Sequence, residues 1–197
     1  SDARAVALRS PFDPTNMGLW CARQVSTRYK DRADSIAKVS DLLAVMTAAQ
    51  PGHYLAFFPS YSYLQQVWED FTARYPDQPT LCQESAMDEG QRTEFLAQFL
   101  ARDGKPLLGF AVLGGVFGEG VDLTGESLIG VAVVSPGLPQ IGPRQEQLRD
   151  YFEETRGAGF DYAYRYPGMN KVLQAAGRVI RTPQDRGVVL LIDDRFL

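Results

Sequence analysis

Residues 53–75, HYLAFFPSYSYLQQVWEDFTARY, contain the pattern on which the predicted fold depends. The run before Pro59 is apolar on both faces, which predicts a short strand buried on both sides, and the proline ends it. Residues 61–75 are predicted to form a helix with Ser60 or Ser62 as its N-cap. A buried strand followed directly by a helix is the repeating unit of parallel α/β sheets.

The same alternation of strand and helix continues along the chain. Buried strands are predicted at residues 53–60, 105–115, 127–135 and 187–194. Helices are predicted at about residues 33–50, 61–75, 88–104, 143–156 and 168–181. We therefore expect an α/β domain over residues 1–197, with a mostly parallel sheet, helices on both faces and an irregular segment at residues 1–30. Ligands of such sheets meet the loops at the carboxyl ends of the strands.

Composition limits the classes of function. A chain of 197 residues with 45% hydrophobic and 22% charged residues has the ordinary make-up of a globular domain. The net charge of −4 argues against a general basic coat, so any contact with nucleic acid is expected to be local. One histidine and two separated cysteines predict no metal site and no Ser-His-Asp triad. We see no signal peptide and no membrane-length apolar run, and expect a cytoplasmic protein without a membrane partner.

The sequence does not decide the role of two segments, of which one is rich in basic residues and the other in glycine. Arg23, Arg28, Lys30 and Arg32 form a basic cluster, which is either a solvated surface or a docking edge for a partner domain or phosphates. Five glycines lie in the loop of residues 114–125. Glycines let a backbone approach a ligand closely, but no phosphate-loop motif is present, so a ligand-contacting loop and a structural turn both remain open.

The stretch KVLQAAGRVIR, residues 171–181, places Gln174, Gly177, Arg178 and Arg181 at offsets i, i+3, i+4 and i+7. In a helix these residues share one face, opposite an apolar stripe. Arginines are permanently charged donors whose planar geometry matches phosphate oxygens. The face is therefore either a phosphate-binding surface or a solvated basic face. Similarly, Ser60 is either a plain N-cap or part of a helix terminus that holds a phosphate.

Three segments, in this order, resemble motifs IV, V and VI of the superfamily 2 DNA helicases related to DinG and XPD. They are FFPSY (57–61), LGGVFGEGVDLTGESLIGVAVVSPGLP (113–139) and QAAGRVIRTPQDRGVVLLIDDRF (174–196). The resemblance extends over nearly the whole chain, and the bacterial DinG-like branch is the better match. It implies a RecA-like three-layer αβα domain, the second motor domain of an ATP-dependent 5′ to 3′ helicase. The phosphate loop and the acidic motif that binds Mg²⁺ would belong to an N-terminal RecA-like domain of the same polypeptide.

The resemblance also implies roles for individual residues. Motif VI would make Arg178 and Arg181 arginine fingers and Gln174 a sensor of the γ-phosphate or attacking water of ATP. The residues implied to be nucleotide-binding are Glu119, Gly120, Asp122 and Gly177. The residues implied to contact single-stranded DNA are Ser60, Tyr61, Gly114 and Gly115, with a stacking face on Tyr61. An iron–sulfur cluster, where the family has one, would lie in the other domain and not in this chain.

Two other classes of function remain as alternatives. The first is a RecA-like domain that has no catalytic role and serves as a docking or regulatory module. The second is a stand-alone enzyme on a nucleotide-binding fold. The lack of a phosphate loop, of a set of metal ligands and of a side chain suited to act as a general base argues against it. A phosphate loop and an acidic box encoded upstream in the same reading frame would favour the helicase over the docking module.

Overall fold

Parallel strands form the centre of the structure, a computed structural model that describes residues 12–101, 106–115, 117 and 128–196. The strands are β1 (Met17–Ala22), β2 (His53–Phe58), β3 (Thr80–Cys82), β4 (Leu107–Val112), β5 (Gly130–Val134) and β6 (Gly187–Ile192). Within the described residues they form one sheet of six strands in the order β1-β6-β5-β2-β4-β3. All neighbouring strands pair in parallel.

Five α-helices of the described residues accompany this sheet. They are α1 (Arg32–Ala49), α2 (Tyr61–Arg74), α3 (Glu89–Leu100), α4 (Pro143–Arg156) and α5 (Tyr166–Ala176). One apolar core joins α1 and α2 to the first face, and a second core joins α3 and α5 to the other. The chain thus has the three-layer αβα architecture that the sequence predicts. The helices expected at about 33–50, 61–75 and 143–156 are confirmed with almost the same bounds.

Strand β2 shows why the sequence folds in this way. All six of its residues are buried, because β4 and β5 flank it and helices cover both faces. Tyr54, Ala56 and Phe58 point into the first core, whereas Leu55 and Phe57 point into the second. This division follows from the alternation of side chains along a strand, and it explains why the run is apolar on both faces.

Two strands were not expected from the sequence. Strand β1 lies inside the segment predicted to be irregular, and β3 has only three residues. Both are edge strands, and β1 is stabilised by pairing with β6 from the opposite end of the chain. Leu19 and Trp20 of β1 are 57% and 56% exposed, so the strand lacks a local pattern of burial. The prediction of an irregular segment over residues 1–30 is therefore wrong for β1.

The last helix is shorter than predicted. The sequence favours a helix over residues 168–181, but α5 ends at Ala176 with Gly177 as its C-cap. The next two turns are tighter, since Arg178 N–H donates to the Ala175 carbonyl at 3.2 Å and Val179 N–H to that of Ala176 at 3.2 Å. Val179 is thereby brought into the core, where it is 3% exposed. The helix therefore ends five residues before its predicted end, next to Gly177, a residue type with low helix propensity.

Because all strands run in the same direction, their carboxyl ends lie together at one end of the sheet and their amino ends lie together at the other. We call the first end the carboxyl edge and the second the amino edge; neither name refers to the edge strands β1 and β3. Helix α5 runs from the first to the second. A Cβ on Gly168, near its start, would lie 2.6 Å from the carbonyl oxygen of Pro136, just after β5. At the other end, a Cβ on Gly187 at the start of β6 would clash with a methyl group of Val179.

Candidate functional site

The structure divides the candidate residues between the two edges of the sheet. Ser60 and Tyr61 follow β2, and Gly114 and Gly115 follow β4, so these four lie at the carboxyl edge. Gly177, Arg178 and Arg181 lie between the end of α5 and the start of β6, at the amino edge. Gln174 lies in the last turn of α5. Glu119, Gly120 and Asp122 lie outside the described residues.

At the carboxyl edge, Ser60 caps helix α2. Its Oγ accepts a hydrogen bond from the Tyr63 N–H at 3.4 Å, which confirms the predicted N-cap. The cap uses one N–H group of the first turn, and other N–H groups at this terminus point toward the same edge. The ring of Tyr61 follows at once and is 37% exposed. The terminus therefore combines N–H donors with a partly exposed aromatic face.

Gln83, which the sequence did not single out, connects Tyr61 to the loop after β4. Its side chain is 4% exposed and follows the short edge strand β3. The Gln83 Nε2 group donates to the Tyr61 hydroxyl at 3.1 Å, and its Oε1 accepts from the Val112 N–H at 2.8 Å. Gln83 thus fixes two candidate loops relative to each other. Its only sequence signal is a polar residue after a very short strand, which is too weak to identify it.

The two glycines after β4 form a close turn. Gly114 has a φ of +73°, a conformation that residues with a side chain rarely adopt. A Cβ added there would lie 3.2 Å from the side chain of Lys171 on α5. The Gly115 N–H donates to the Val112 carbonyl at 3.1 Å, which closes the turn. The turn at Gly114 and Gly115 therefore presents backbone at the carboxyl edge, against the side chain of Lys171 in the middle of α5.

At the amino edge, the arginines follow α5 instead of projecting from it. Gln174 and Gly177 are exposed, while Arg178 and Arg181 are half-buried. The prediction that all four share one face of a continuous helix is wrong for the arginines, because the helix ends at Ala176. They lie instead on the tight turns that lead Val179 into the core.

The position of Arg181 is fixed through its backbone. The Asp185 Oδ2 atom accepts hydrogen bonds from the Arg181 N–H at 2.8 Å and the Thr182 N–H at 2.7 Å. The Thr182 hydroxyl donates to the other carboxylate oxygen at 2.8 Å. Partial burial opposes ionisation of Asp185, but these hydrogen bonds outweigh it and lower its pKa. Asp185 thus organises the loop that carries Arg181.

A buried ionic cluster, also missed from the sequence, joins three loops of the carboxyl edge. We call Thr27, Ser135, Asp193 and Arg195 the Asp193 cluster. Asp193 follows β6 and is 0% exposed. Its carboxylate accepts from Arg195 Nε at 2.6 Å, Arg195 Nη2 at 2.9 Å and the Thr27 N–H at 3.0 Å. Arg195 Nη2 also donates to the Ser135 hydroxyl at 3.3 Å.

The ionisation of Asp193 follows from these contacts. Burial by itself would raise the pKa of the carboxyl, but the hydrogen bonds from Arg195 and Thr27 prevail and lower it to about 2. The carboxylate is therefore charged at neutral pH and paired with Arg195. Ser135 lies at a φ of 85°, which is uncommon for a residue with a side chain. The cluster holds the loops after β1, β5 and β6 in one arrangement.

Neither a membrane-spanning helix nor a cluster of metal ligands is found among the described residues. No helix among them is long and apolar enough to cross a membrane. In the same residues, no group of three or more His, Cys, Asp or Glu side chains is arranged to hold a metal ion.

Comparisons with known proteins agree on one family. A family model for the helicase C-terminal domain matches residues 43–197. The chain is 30% identical over 187 residues to regulator of telomere elongation helicase 1 of Bos taurus, with 86% of this chain and 15% of that protein covered. It is 28% identical over 198 residues to the ATP-dependent DNA helicase YoaA of Escherichia coli K12, covering 99% of this chain and 29% of the relative. The chain thus spans less than a third of either protein.

Solved structures show the same fold. An apo XPD structure matches with a TM-score of 0.74 and 20% identity, covering 92% of this chain and 36% of that one. An XPD helicase structure matches with a TM-score of 0.71 and 20% identity, covering 91% and 32%. The six-stranded parallel sheet with helices on both faces is accordingly RecA-like. A bacterial and an animal relative match with similar identity, so the bacterial branch stays a prediction. The chain belongs to the helicase C-terminal domain family, in the DinG and XPD group of superfamily 2.

Proposed function

We propose that this chain is the second motor domain of an ATP-dependent 5′ to 3′ DNA helicase. Its partner would be an N-terminal RecA-like motor domain of the same polypeptide. The observation that carries the proposal is the course of α5. At its middle, Lys171 lies against the turn at Gly114, and just after its end come Arg178 and Arg181. About 8 Å of one helix thus connects a candidate nucleic-acid loop to candidate phosphate ligands.

In this proposal the amino edge faces ATP. Arg178 and Arg181 reach across the interface as arginine fingers and stabilise charge that develops on the transferred phosphoryl group. Gln174 contacts the γ-phosphate or the attacking water. The further nucleotide contacts, taken from the family resemblance, are Glu119, Gly120, Asp122 and Gly177. Mg²⁺ would be held mainly by the N-terminal domain, which would also contain the iron–sulfur cluster if the polypeptide has one.

The carboxyl edge grips single-stranded DNA. The α2 terminus at Ser60 offers N–H donors, and the turn at Gly114 and Gly115 lets the backbone come close to a strand. Tyr61 supplies a stacking face, and its hydroxyl is held by Gln83. ATP binding would close the two motor domains and hydrolysis would reopen them. The two sets of gripping loops would then advance alternately along one strand.

The test replaces Arg181 by alanine in the polypeptide that contains both motor domains. We expect DNA-stimulated ATP hydrolysis to fall by about 10³- to 10⁵-fold, as for loss of an arginine finger elsewhere. Folding should survive, because Asp185 holds the backbone N–H of residue 181, a contact that alanine keeps. Arg186→Ala is the matched control, because Arg186 is an exposed arginine on the same loop. Near-normal ATPase activity in Arg181→Ala would refute the assignment.

A second test separates the motor from the alternative, a docking or regulatory module. The purified 197-residue chain should hydrolyse no ATP, because the phosphate loop would belong to the other domain. Measurable turnover by this chain alone would contradict the proposal. In the longer polypeptide, ATPase activity stimulated by single-stranded DNA supports the motor, whereas no stimulation supports the docking module. The cytoplasmic location expected from the sequence stays a prediction.

A further inference from the structure

A group of aromatic and cationic side chains lies at the carboxyl edge, outside the residues assigned above. Tyr29 lies in a short helical turn, Tyr29–Asp31, between β1 and α1, and its side chain is 87% exposed. The Arg32 guanidinium carbon lies 5.6 Å from the centre of the Tyr29 ring and 5.1 Å from that of Tyr63. Arg32 therefore stands between an exposed ring and a buried one, and its charge is attracted to both.

The turn that carries Tyr29 is held by buried contacts. Thr27 is 0% exposed, and its N–H donates to the Asp193 carboxylate at 3.0 Å. Arg32 Nε donates to the Thr27 carbonyl at 3.4 Å. Arg28 pairs with Asp194 across 3.2 Å. The Asp193 cluster thus fixes the turn, so the exposure of Tyr29 results from a defined backbone and a defined neighbour.

The position of this turn places Tyr29 beside the candidate DNA-binding residues. Tyr63, against which Arg32 packs, belongs to the first turn of α2 and donates its N–H to the N-cap Ser60. Arg32 therefore bridges Tyr29 and the helix terminus that carries Ser60 and Tyr61. Tyr61 and Tyr29 are thus both exposed near this helix start, the first partly and the second almost fully.

Two cationic side chains accompany the Tyr29 ring. Lys30 is the exposed next residue in the chain, and Arg32 lies against the ring. The acidic groups nearby include Asp31, which accepts a hydrogen bond from the Ser26 hydroxyl at 2.7 Å, and Asp34 in the first turn of α1. An exposed ring backed by a guanidinium group and flanked by a cation is the kind of surface on which unpaired bases stack.

We propose that Tyr29, backed by Arg32, is a base-stacking subsite for single-stranded nucleic acid that extends the carboxyl-edge interface beyond Ser60 and Tyr61. This inference rests on the proposed function, since it assigns a further contact to the same strand. The ring accepts any base, because every base has a π face, and Lys30 contacts the adjoining phosphate. The subsite adds affinity without adding sequence preference.

The test measures binding of a fluorescent oligothymidylate to the 197-residue chain at low salt by anisotropy. Tyr29→Ala should raise Kd by about 5- to 150-fold, the range that loss of one stacking partner produces. Tyr29→Phe should keep Kd within about twofold of the parent chain, because a phenyl ring also stacks. Trp20→Ala is the matched control, since Trp20 is also an exposed ring, 56% accessible, but belongs to β1.

The salt dependence of oligonucleotide binding distinguishes base stacking from contacts between charged groups. Tyr29→Ala should weaken binding equally at each salt concentration, whereas Lys30→Gln should reduce the slope of log Kd against log salt by about 1. Unchanged melting temperatures would confirm that both variants fold.

The outcomes distinguish this inference from the proposed function. If the parent chain binds the oligonucleotide and Tyr29→Ala binds it equally well, the subsite is refuted and the proposed function stands. If the parent chain does not bind it at all, the subsite is refuted, and the ATPase test of the longer polypeptide decides the proposed function independently. If Tyr29→Ala keeps oligonucleotide binding but loses affinity for the N-terminal motor domain, Tyr29 is a protein contact and the subsite is likewise refuted.

Discussion

Replacing Asp193 by asparagine tests whether the buried ionic cluster stabilises the carboxyl edge. The substitution keeps the size of the side chain and removes its charge, so Arg195 loses its partner while the packing stays nearly the same. The Asp193 carboxylate is fully buried and receives two hydrogen bonds from the Arg195 guanidinium group and one from the Thr27 N–H. The effect should therefore appear as a loss of stability and as a change in its pH dependence.

The magnitude follows from the pKa of Asp193. A carboxyl whose pKa falls from 3.8 in the unfolded chain to about 2 in the folded protein adds about 2 kcal/mol to stability at neutral pH. Removing one partner of a buried ion pair costs about 3 to 5 kcal/mol in other proteins. We expect Asp193→Asn to lower the free energy of unfolding by about 2 to 5 kcal/mol.

The pH dependence is a stricter test. Because folding lowers the pKa of Asp193, its contribution is complete above pH 3.8 and is lost as the pH falls toward about 2. By about pH 3 the parent chain should have lost about 1 kcal/mol from this carboxyl, and Asp193→Asn has no such carboxyl to lose. The stability difference between the two proteins, measured by urea unfolding, should narrow by about that amount between pH 6 and pH 3.

A matched control is available in the next residue. Asp194 pairs with Arg28 at 3.2 Å, but 38% of its side chain is exposed. Asp194→Asn should cost less than about 1 kcal/mol, since water and salt screen an exposed pair. If Asp193→Asn is no more destabilising than Asp194→Asn, or if its deficit is the same at both pH values, the buried carboxylate does not have the role assigned to it.

Three further predictions concern the sheet and its surroundings. Gly130→Ala should destabilise the chain by about 1 to 3 kcal/mol in urea unfolding, because its Cβ would lie 2.6 Å from the Tyr54 ring; Gly142→Ala, with nothing within 4 Å, should cost far less. Gln83→Leu should cost about 1 to 3 kcal/mol by the same assay, because it leaves a backbone N–H of β4 without its partner; unchanged stability would contradict the bridging role. Burial raises the pKa of the Cys82 thiol to about 12, so alkylation by iodoacetamide near pH 8, followed by mass spectrometry, should be about a hundredfold or more slower in the folded than in the unfolded chain; equal rates would refute this.

The local sequence pattern was sufficient to predict the central elements of the fold. Strand β2 is apolar on both faces because helices cover both, and a proline follows its end, so the sequence alone predicts it. The Ser60 cap of α2 was identified for a similar reason, since a hydroxyl before an amphipathic run satisfies the first N–H groups of a helix. Such features depend on neighbours along the chain.

Other features depend on residues that are distant in sequence, and pattern did not reveal them. Strand β1 is an example, because it is stabilised by pairing with β6 from the other end of the chain. Gln83 and the Asp193 cluster are single polar residues whose partners come from other strands. In the candidate site, the resemblance to a family supplied the residues, whereas only the folded chain divides them between two edges of the sheet.

The pairing of β1 with β6 has a consequence for how the domain is made. Strand β1 is synthesised well before its ladder partner β6, with Met17 beside Gly187 and Ala22 beside Ile192. Until β6 is synthesised, β1 has no partner in the sheet and β5 lacks a neighbour on one side. Such long-range pairing closes slowly and leaves strand edges open during synthesis. Truncation before residue 187 would therefore leave β1 and one side of β5 without a hydrogen-bonding partner. We expect such a chain to aggregate.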